Sequence, residues 1–400
     1  MKNLSFLTLL SLLFFTSCDD DEFDKLVTST VTVEAKYPST FGQPLAVGAT
    51  VTMTNSTDGN IKMATTDATG KAIFTDMLPG SYNITANKVL TASDAALLTG
   101  ISSAITLNAS QNSAVVAPAA VNPTFELQLQ GGAVGGLVIK EVYYTGSRTP
   151  SGGTYFSDQF IEIYNNATDT LYLDGLSIAD AFGTAGLINP NSLPTAFNTD
   201  KDNVYVNSIW QIPGTGKQYP LAPGKSIIIA QDGVNHKDAT LNPTSPVNLS
   251  IADWETFNER PDNRDVDAPN VPNLIRVYFT GGFDWLVPVF GPGLIIFKSD
   301  FTKLEQVPIP GASATTSPRI KVPNSDIIDA FEALKDGSSV SFKRITTAVD
   351  AGFVFADDTY NMQSFRRKTS AVINGRRILQ DNNNSTSDFE KIALPTPKGF

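Results

Sequence analysis

The sequence predicts an all-β protein of two β-sandwich domains, with one short helix in the second domain. Short runs of alternating apolar and polar residues recur along the 400-residue chain, bounded by Gly, Pro, Asn and Asp; "TVTVEAKY", "ATVTMTN" and "TFELQLQ" are examples. This period of two is typical of half-buried strands. The Gly-rich segment "QGGAVGG" separates an earlier set of runs from a later one, which predicts a domain boundary with a linker at 131–136.

The N-terminal segment predicts a lipid-anchored protein. Residues 1–17 place Lys2 before an apolar run that is short for a bilayer span and has the length of a signal-peptide core. Thr16 and Ser17 then precede Cys18, the only cysteine of the chain. This order resembles a bacterial lipobox, in which the cysteine is diacylated and becomes the mature N-terminus. The resemblance implies attachment to the outer membrane at Cys18; an unpaired thiol in a disordered leader is the alternative.

Acidic residues follow Cys18 directly, at 19–22 and 24. They are interpreted as part of a solvated tether over 18–25. They also resemble the acidic export signal of Bacteroidetes lipoproteins, which implies display on the cell surface; a periplasm-facing lipoprotein is the alternative. The net charge of the chain is -11, which argues against nucleic acid as a partner because binding a phosphate backbone requires a basic face.

The first predicted domain, 26–130, contains the run "TTDATGKAIFTDMLPGSYNITA". A polar turn at Gly70 leads into one strand, and Pro79 with Gly80 is expected to form the corner into the next, with glycine supplying a positive φ. The run resembles carboxypeptidase-regulatory-like and transthyretin-like domains. That resemblance implies a small β-sandwich that acts as a spacer or presentation module and brings no catalytic residues.

The second predicted domain, 137–400, begins with two alternating strands, 137–143 and 159–164, followed by "LYLDGLSIAD". Further along, "YPLAPGKSIIIAQDG", "SFRRK" and a closing "TPKGF" follow in order, with Lys398 at a position where glycine is usual. These motifs resemble the lamin-tail domain, an immunoglobulin-like β-sandwich. Long insertions at 181–218 and 234–340 enlarge it.

The whole arrangement resembles an uncharacterised family of Bacteroides lipoproteins, domain of unknown function 4876. The resemblance implies location and architecture, and it brings no established activity.

The second insertion contains two features with individual predictions. The segment "NSDIIDAFEALKDG" predicts a helix over 324–337, with Asn324 or Ser325 as N-cap and Gly337 at its end. Nearby aromatic residues have two interpretations: they form a core strand pair, or they rim a ligand-binding surface together with an adjacent carboxylate. The residues of that candidate surface are Trp254, Phe283, Asp284 and Trp285.

No catalytic constellation is recognisable. The single histidine, His236, lies in the polar loop "QDGVNHKDAT" and is interpreted as solvated rather than as a general base. Zinc sites with several His or Cys ligands are excluded by count. No spacing singles out a carboxylate pair for glycoside hydrolysis, and Glu141 and Glu162 are interpreted as structural strand residues.

Calcium is the one cofactor that the sequence leaves open. "NTDKDN" and "PDNRDVD" present oxygen ligands at alternating positions, as hard cations prefer, although neither is a full EF-hand loop and acidic loops are usually just solvated. The candidate ligands are Asp200, Asp202, Asp262, Asp265 and Asp267.

These observations together lead us to expect a non-enzymatic, surface-exposed outer-membrane lipoprotein. It would bind an extracellular ligand (glycan, protein or nutrient), alone or beside an outer-membrane transporter, which is an analogy with other surface lipoproteins. The alternative is a structural envelope scaffold or adhesin without a small-molecule site. A carboxylate-dependent hydrolase is the remote alternative.

Overall fold

The computed structural model of the protein describes residues 27–37, 41, 43–99, 105–117, 122–133, 136–167, 169–373 and 375–400. The predicted signal peptide, Cys18 and the acidic tether at 18–25 lie outside the described residues. Strands dominate the regular structure and the helices are few and short, which confirms the all-β prediction. Within the described residues, no helix has both the length and the apolar character needed to cross a membrane.

The N-terminal unit consists of two sheets around one hydrophobic core. The three-stranded sheet has the order β4-β1-β7 and the five-stranded sheet the order β3-β2-β5-β6-β8. Burial alternates strictly along β1, so that Val31, Val33 and Ala35 face the core. The elements of this unit are β1 (Ser29–Lys36), β2 (Thr50–Asn55), β3 (Ile61–Thr65), β4 (Lys71–Met77), β5 (Gly80–Leu90), α1 (Ala92–Thr99), β6 (Ile105–Val116), β7 (Thr124–Gln128) and β8 (Gln130–Ala133).

The two predicted turns of this unit differ in their backbone. Gly70 has a φ of +72°, and a Cβ there would lie 3.1 Å from the carbonyl oxygen of Ala35, so glycine is required for both reasons. Gly80 begins β5 and is not among the residues with positive φ; the nearest left-handed residue, Asp76 with a φ of 54°, lies within β4, where the pairing with β1 is irregular. The expectation for Gly80 was therefore wrong.

The C-terminal unit contains two large sheets. One has the order β18-β17-β12-β9-β24-β27, and the other the order β21-β22-β15-β14-β20-β23, with β19 also paired to β15. Its strands are β9 (Leu137–Tyr143), β10 (Ser147–Arg148), β11 (Thr154–Tyr155), β12 (Phe160–Asn165), β13 (Leu171–Tyr172), β14 (Ser177–Ala181), β15 (Asn203–Gln211), β16 (Pro220–Leu221), β17 (Ser226–Ala230), β18 (Trp254–Glu255), β19 (Ile275–Phe279), β20 (Gly293–Phe297), β21 (Glu305–Val307), β22 (Arg319–Pro323), β23 (Ile327–Glu332), β24 (Ser364–Arg367), β25 (Thr369–Ile373), β26 (Arg376–Leu379) and β27 (Phe389–Ile392). A short helix, α2 (Ser385–Asp388), precedes the last strand.

The main core of this unit lies between the two large sheets. It combines Ile139 and Ile163 from the first sheet with Ile178 and Ile296 from the second. The predicted strand at 137–143 is confirmed as β9, and it pairs antiparallel with β12, which covers most of the predicted strand at 159–164.

The helix predicted over 324–337 is not formed. Asn324–Asp326 is a single 3-10 turn whose N-cap position is occupied by Pro323, and the chain continues directly as β23, antiparallel to β20. Strand β23 is buried on both faces, since Phe331 packs in the main core while Ala330 packs in a neighbouring one. A strand buried on both faces has a nearly continuous apolar sequence. The spacing of its apolar residues alone cannot distinguish it from a buried helix.

The two units touch through polar side chains. Asn87 Nδ2 on β5 donates to the carbonyl oxygen of Asn382 at 3.0 Å, and the hydroxyl groups of Ser110 and Thr347 lie 3.0 Å apart. An open cleft lies between the outer face of the five-stranded sheet and the C-terminal unit.

Candidate functional site

The cleft between the units has a volume of about 670 Å³. This lies within the range of about 300–1,000 Å³ that is usual for small-molecule sites. Its size makes it a candidate for a binding site.

One wall of the cleft is the outer face of β2, β3 and β5. Inward-facing residues of β2 and β5 fill the core, so their neighbours point outward into the cleft. The strand register aligns these outward residues into two rows. One row is Met63, Thr52 and Thr85, and the other is Ile61, Thr54 and Asn83. The wall therefore presents hydroxyl and amide groups beside two apolar side chains, Ile61 and Met63, that are more than half exposed.

The opposite wall is formed by the segment around Phe353 and Phe355. Thr386 fixes its backbone, because the hydroxyl group accepts from the N–H of Phe353 at 3.0 Å and donates to the carbonyl oxygen of the same residue at 2.7 Å. Gly352 is packed so closely that a Cβ would lie 2.0 Å from Oδ1 of Asn384. Phe355 is 42% exposed and presents its ring to the cleft.

The charged groups of the cleft are lysines. The ammonium groups of Lys343 and Lys368 already donate to the carbonyl oxygens of Gly352 and Ser387, on the same wall. Among the described lining residues there is no Asp, Glu or His. The cleft is thus a mostly apolar surface with interspersed hydroxyl and amide groups and two lysines, within a strongly acidic protein.

The two tryptophans of the predicted aromatic surface do not line the cleft between the units. Trp254 and Trp285 are 6% and 5% exposed and belong to the main core of the C-terminal unit. Trp254 packs edge-on against Tyr219, and the indole N–H of Trp285 donates to Oδ1 of Asp180 at 2.9 Å. The recognition role predicted for these two residues was therefore wrong, and the core interpretation describes them correctly.

The other two members of that predicted surface lie elsewhere. Phe283 is half-buried, with the guanidinium group of Arg264 lying 4.2 Å from its ring centroid. Asp284 is buried and belongs to a group of three carboxylates with Asp232 and Asp265. One oxygen from each lies within 4.8 Å of the others. We call this group the aspartate cluster.

The aspartate cluster joins three loops of the second insertion and its flank. Asp232 follows the end of β17, Asp265 lies between β18 and β19, and Asp284 lies between β19 and β20. Sequence reasoning named Asp265 as a calcium candidate and Asp284 as a ligand-binding candidate, and it missed Asp232. The sequence feature that could have identified Asp232 is the "QDG" turn, which begins directly after the apolar strand β17.

Neighbouring residues hold the loops of the cluster in place. Glu255 on β18 accepts from the N–H of Gly233 and from the N–H of Ala268, both at 2.7 Å, so one carboxylate holds the loops of Asp232 and Asp265 together. Oδ2 of Asp265 accepts from the N–H of Asn258 at 2.8 Å, and Oδ2 of Asp284 accepts from Nε2 of Gln231 at 2.6 Å.

Burial and mutual repulsion shape the electrostatics of the cluster. Desolvation, followed by the charges of Asp284 and Asp265, raises the pKa of Asp232 to about 8. Desolvation also raises the pKa of Asp265 to about 7 and raises the pKa of Asp284. No ion pair of the described residues includes a carboxylate of the cluster.

The other predicted calcium ligands do not converge. Asp200 accepts from the hydroxyl group of Tyr205 at 2.8 Å, Asp262 forms a two-pronged pair with Arg260, and Asp267 accepts from Asn273 at 2.7 Å. Within the described part of the chain, neither these three residues nor Asp202 belongs to a group of three convergent acidic or histidine ligands.

His236 is not a solvated loop residue, contrary to the sequence interpretation. Its side chain is fully buried, Nδ1 lies 2.7 Å from the hydroxyl group of Tyr155, and Nε2 lies 3.0 Å from the carbonyl oxygen of Asp232. A carbonyl oxygen can only accept, so Nε2 carries the proton and Nδ1 accepts from Tyr155. Burial lowers the pKa of His236 to about 4, which keeps the ring neutral.

Comparisons with known proteins give one informative likeness. The model of a protein family of unknown function, DUF4876, matches residues 222–396. The crystal structure of a DUF4876 family protein from Bacteroides thetaiotaomicron is 28% identical, with a TM-score of 0.57 and coverage of 92% of this chain and 96% of that one. The major pilin SpaD from Corynebacterium diphtheriae is 13% identical over 45% of this chain and 47% of that one, with a TM-score of 0.18, which supports no argument. No curated protein matches the chain.

Proposed function

We propose that this chain is a non-enzymatic, surface-exposed outer-membrane lipoprotein of the DUF4876 family that binds a neutral extracellular oligosaccharide in the cleft between its two units. The family match and the full-length likeness to the Bacteroides thetaiotaomicron protein support the family assignment. The lipobox-like sequence at Cys18 supports the location. The single observation that favours binding is the cleft of about 670 Å³.

The chemistry of the cleft favours a sugar over other ligands. An oligosaccharide offers many hydroxyl groups and apolar C–H faces and carries little charge. The rows of Thr52, Thr54, Asn83 and Thr85 supply side chains that can both donate and accept hydrogen bonds. Phe355 supplies an exposed aromatic face for the C–H groups. A charged ligand would find two lysines whose ammonium groups already have partners.

A binding role fits this lining better than a hydrolytic one. Glycoside hydrolysis uses two carboxyl groups that flank the scissile bond. The described lining residues include no acidic side chain, whereas the convergent carboxylates of the molecule form the buried aspartate cluster outside the cleft.

The proposal is tested by binding to defined sugars. The purified full chain is applied to an array of plant, fungal and host-mucin oligosaccharides, and each hit is titrated calorimetrically. We expect Phe355→Ala to weaken binding at least about fivefold, because the variant loses an aromatic contact worth more than about 1 kcal/mol. Phe290→Ala is the matched control, since Phe290 is similarly exposed at 38% and does not line the cleft.

Two results would contradict the proposal. If no oligosaccharide binds at millimolar concentration, or if both phenylalanine variants weaken binding equally, the cleft is not a sugar site and the scaffold or adhesin role becomes the better explanation.

The location is tested by fractionation and protease shaving of cells that produce the protein. Cys18→Ala is expected to leave the membrane fraction, and the wild-type protein is expected to be cleaved on intact cells; protection from protease would place it on the periplasmic side.

A further inference from the structure

The aspartate cluster has the arrangement of a cation site. We propose that Asp232, Asp265 and Asp284 bind one divalent cation of the calcium type, which joins the three loops that carry them. The inference does not depend on the proposed function, because no residue of the cluster lines the cleft.

The spacing of the carboxylate oxygens fits a single ion. Calcium binds oxygen ligands at about 2.3–2.6 Å, so two ligands on opposite sides of the ion lie at most about 5 Å apart. The three oxygens of the cluster all lie within 4.8 Å of one another, a spread that suits ligands arranged around one such ion.

Unpartnered acceptors beside the cluster are a second, independent observation. Asp284 is only 7% exposed and its Oδ1 has no hydrogen-bond partner, while its Oδ2 is held by Gln231. Gln231 is 4% exposed, and its own Oε1 is also without a partner. Buried acceptors without donors are costly and rare. A bound cation satisfies such oxygens, and no donor among the described residues does so.

The local charge also favours a bound cation. Three carboxylates sit together with no lysine, arginine or histidine paired to them in the described residues. The nearby basic groups are engaged elsewhere: Arg260 pairs with Asp262, and Arg264 stacks on Phe283. Buried charges are stable only when they are paired or coordinate a metal, so an ion with two positive charges offsets most of this repulsion.

The ligand chemistry selects the type of ion. All the available ligands are carboxylate and amide oxygens, which suit calcium, magnesium or manganese rather than zinc or copper. Both ring nitrogens of the nearby His236 are already hydrogen-bonded. Magnesium demands near-ideal octahedral geometry and retains several waters. Ligands on three separate loops, two of them held by Glu255, instead match the flexible coordination of calcium.

Calcium titration of the full chain, stripped with EDTA, tests the proposal. We expect CaCl₂ to bind with one-to-one stoichiometry, to raise the melting temperature, and to bind more tightly than MgCl₂. Asp265→Asn removes one ligand charge and should weaken calcium binding at least about tenfold. Asp262→Asn is the matched control in the same loop, because its carboxylate is paired with Arg260; it should bind calcium like the wild type.

The outcomes separate an ion site from a cluster that binds only protons. In a proton-only cluster, Asp265→Asn raises the melting temperature in EDTA by relieving repulsion, and CaCl₂ shifts neither protein; that result overturns the proposal. Equal weakening by Asp262→Asn and Asp265→Asn also overturns it, and equal affinity for MgCl₂ overturns the choice of calcium. If Asp265→Asn does not fold, the half-buried Asp232 is replaced by Asn and measured in the same way.

Discussion

At the residue scale, the C-terminal unit stabilises buried charges in two different ways. Arg367 is fully buried and pairs with Asp329 at 2.6 Å, with Asp381 and Asp388 each at 3.4 Å. Asp158 has no such partner; its Oδ2 instead accepts from the hydroxyl groups of Tyr143, Ser147 and Ser245. Hydroxyl groups compensate a buried carboxylate only partly, and desolvation raises the pKa of Asp158 to about 6.

This raised pKa predicts a specific pH dependence of stability. The folded state holds the Asp158 proton more tightly than the unfolded state, whose pKa is about 3.9. The contribution of Asp158 to the free energy of unfolding is therefore greatest below about pH 4, falls through about pH 6, and is constant above that. Between those limits we expect the wild type to lose up to about 3 kcal/mol relative to Asp158→Asn, measured by urea unfolding across this pH range.

Asp238→Asn provides a control of opposite sign. Asp238 is exposed, and hydrogen bonds from the backbone and side chain of Thr240 lower its pKa. The wild type should therefore gain stability relative to Asp238→Asn as the pH rises through the lowered pKa. If the difference between wild type and Asp158→Asn does not change with pH, the proposed cost of burying Asp158 is wrong.

At the element scale, the closing segment "TPKGF" contains a lysine, Lys398, in a left-handed backbone conformation. Lys398 has a φ of 62°, the left-handed conformation that favours glycine. Its side chain offers a compensation, since Nζ donates to the carbonyl oxygen of Ser226 and to Oδ2 of Asp253, both at 2.6 Å.

Two substitutions separate the backbone strain from the side-chain contacts. Lys398→Ala and Lys398→Gly lose the same hydrogen bonds, but only glycine relieves the left-handed backbone. We expect Lys398→Gly to be more stable than Lys398→Ala by about 0.5–1 kcal/mol in chemical unfolding. At the exposed Lys225, which is not among the residues with positive φ, the order of the two variants should reverse. The same order at both positions would contradict the strain argument.

Elements with a local signal could be predicted from the sequence, and those fixed by tertiary contacts could not. Strands β1 and β9 were predictable because turn residues bound them and apolar residues recur along them. Strand β23 was mistaken for a helix because it is buried on both faces. Trp285 was ambiguous, since an aromatic residue in a loop looks the same whether it faces solvent or core. The aspartate cluster could be predicted only in part, because sheet topology, rather than spacing, brings its three loops together.

At the scale of the whole molecule, the two units have separate cores. The core residues of the N-terminal unit all lie between Val31 and Leu129, and the main core of the C-terminal unit lies between Leu137 and Phe389. Among the described residues, the direct hydrogen bonds between the units join Asn87 to Asn382 and Ser110 to Thr347, near an open cleft. Interfaces of this kind couple two folding units weakly compared with a shared core.

Weak coupling predicts two separate transitions in calorimetry of the full chain. Phe74→Ala removes a buried side chain from the N-terminal core, and Phe365→Ala removes one from the C-terminal core; they are 3% and 2% exposed. Each deletion should cost about 3–5 kcal/mol and lower the melting temperature of its own transition by about 10 °C or more. The melting temperature of the other transition should not change, because the described core residues of the two units form separate clusters. If both variants instead shift a single common transition, the units fold as one cooperative body, and the cleft between them is then a rigid groove rather than a space between two independently stable units.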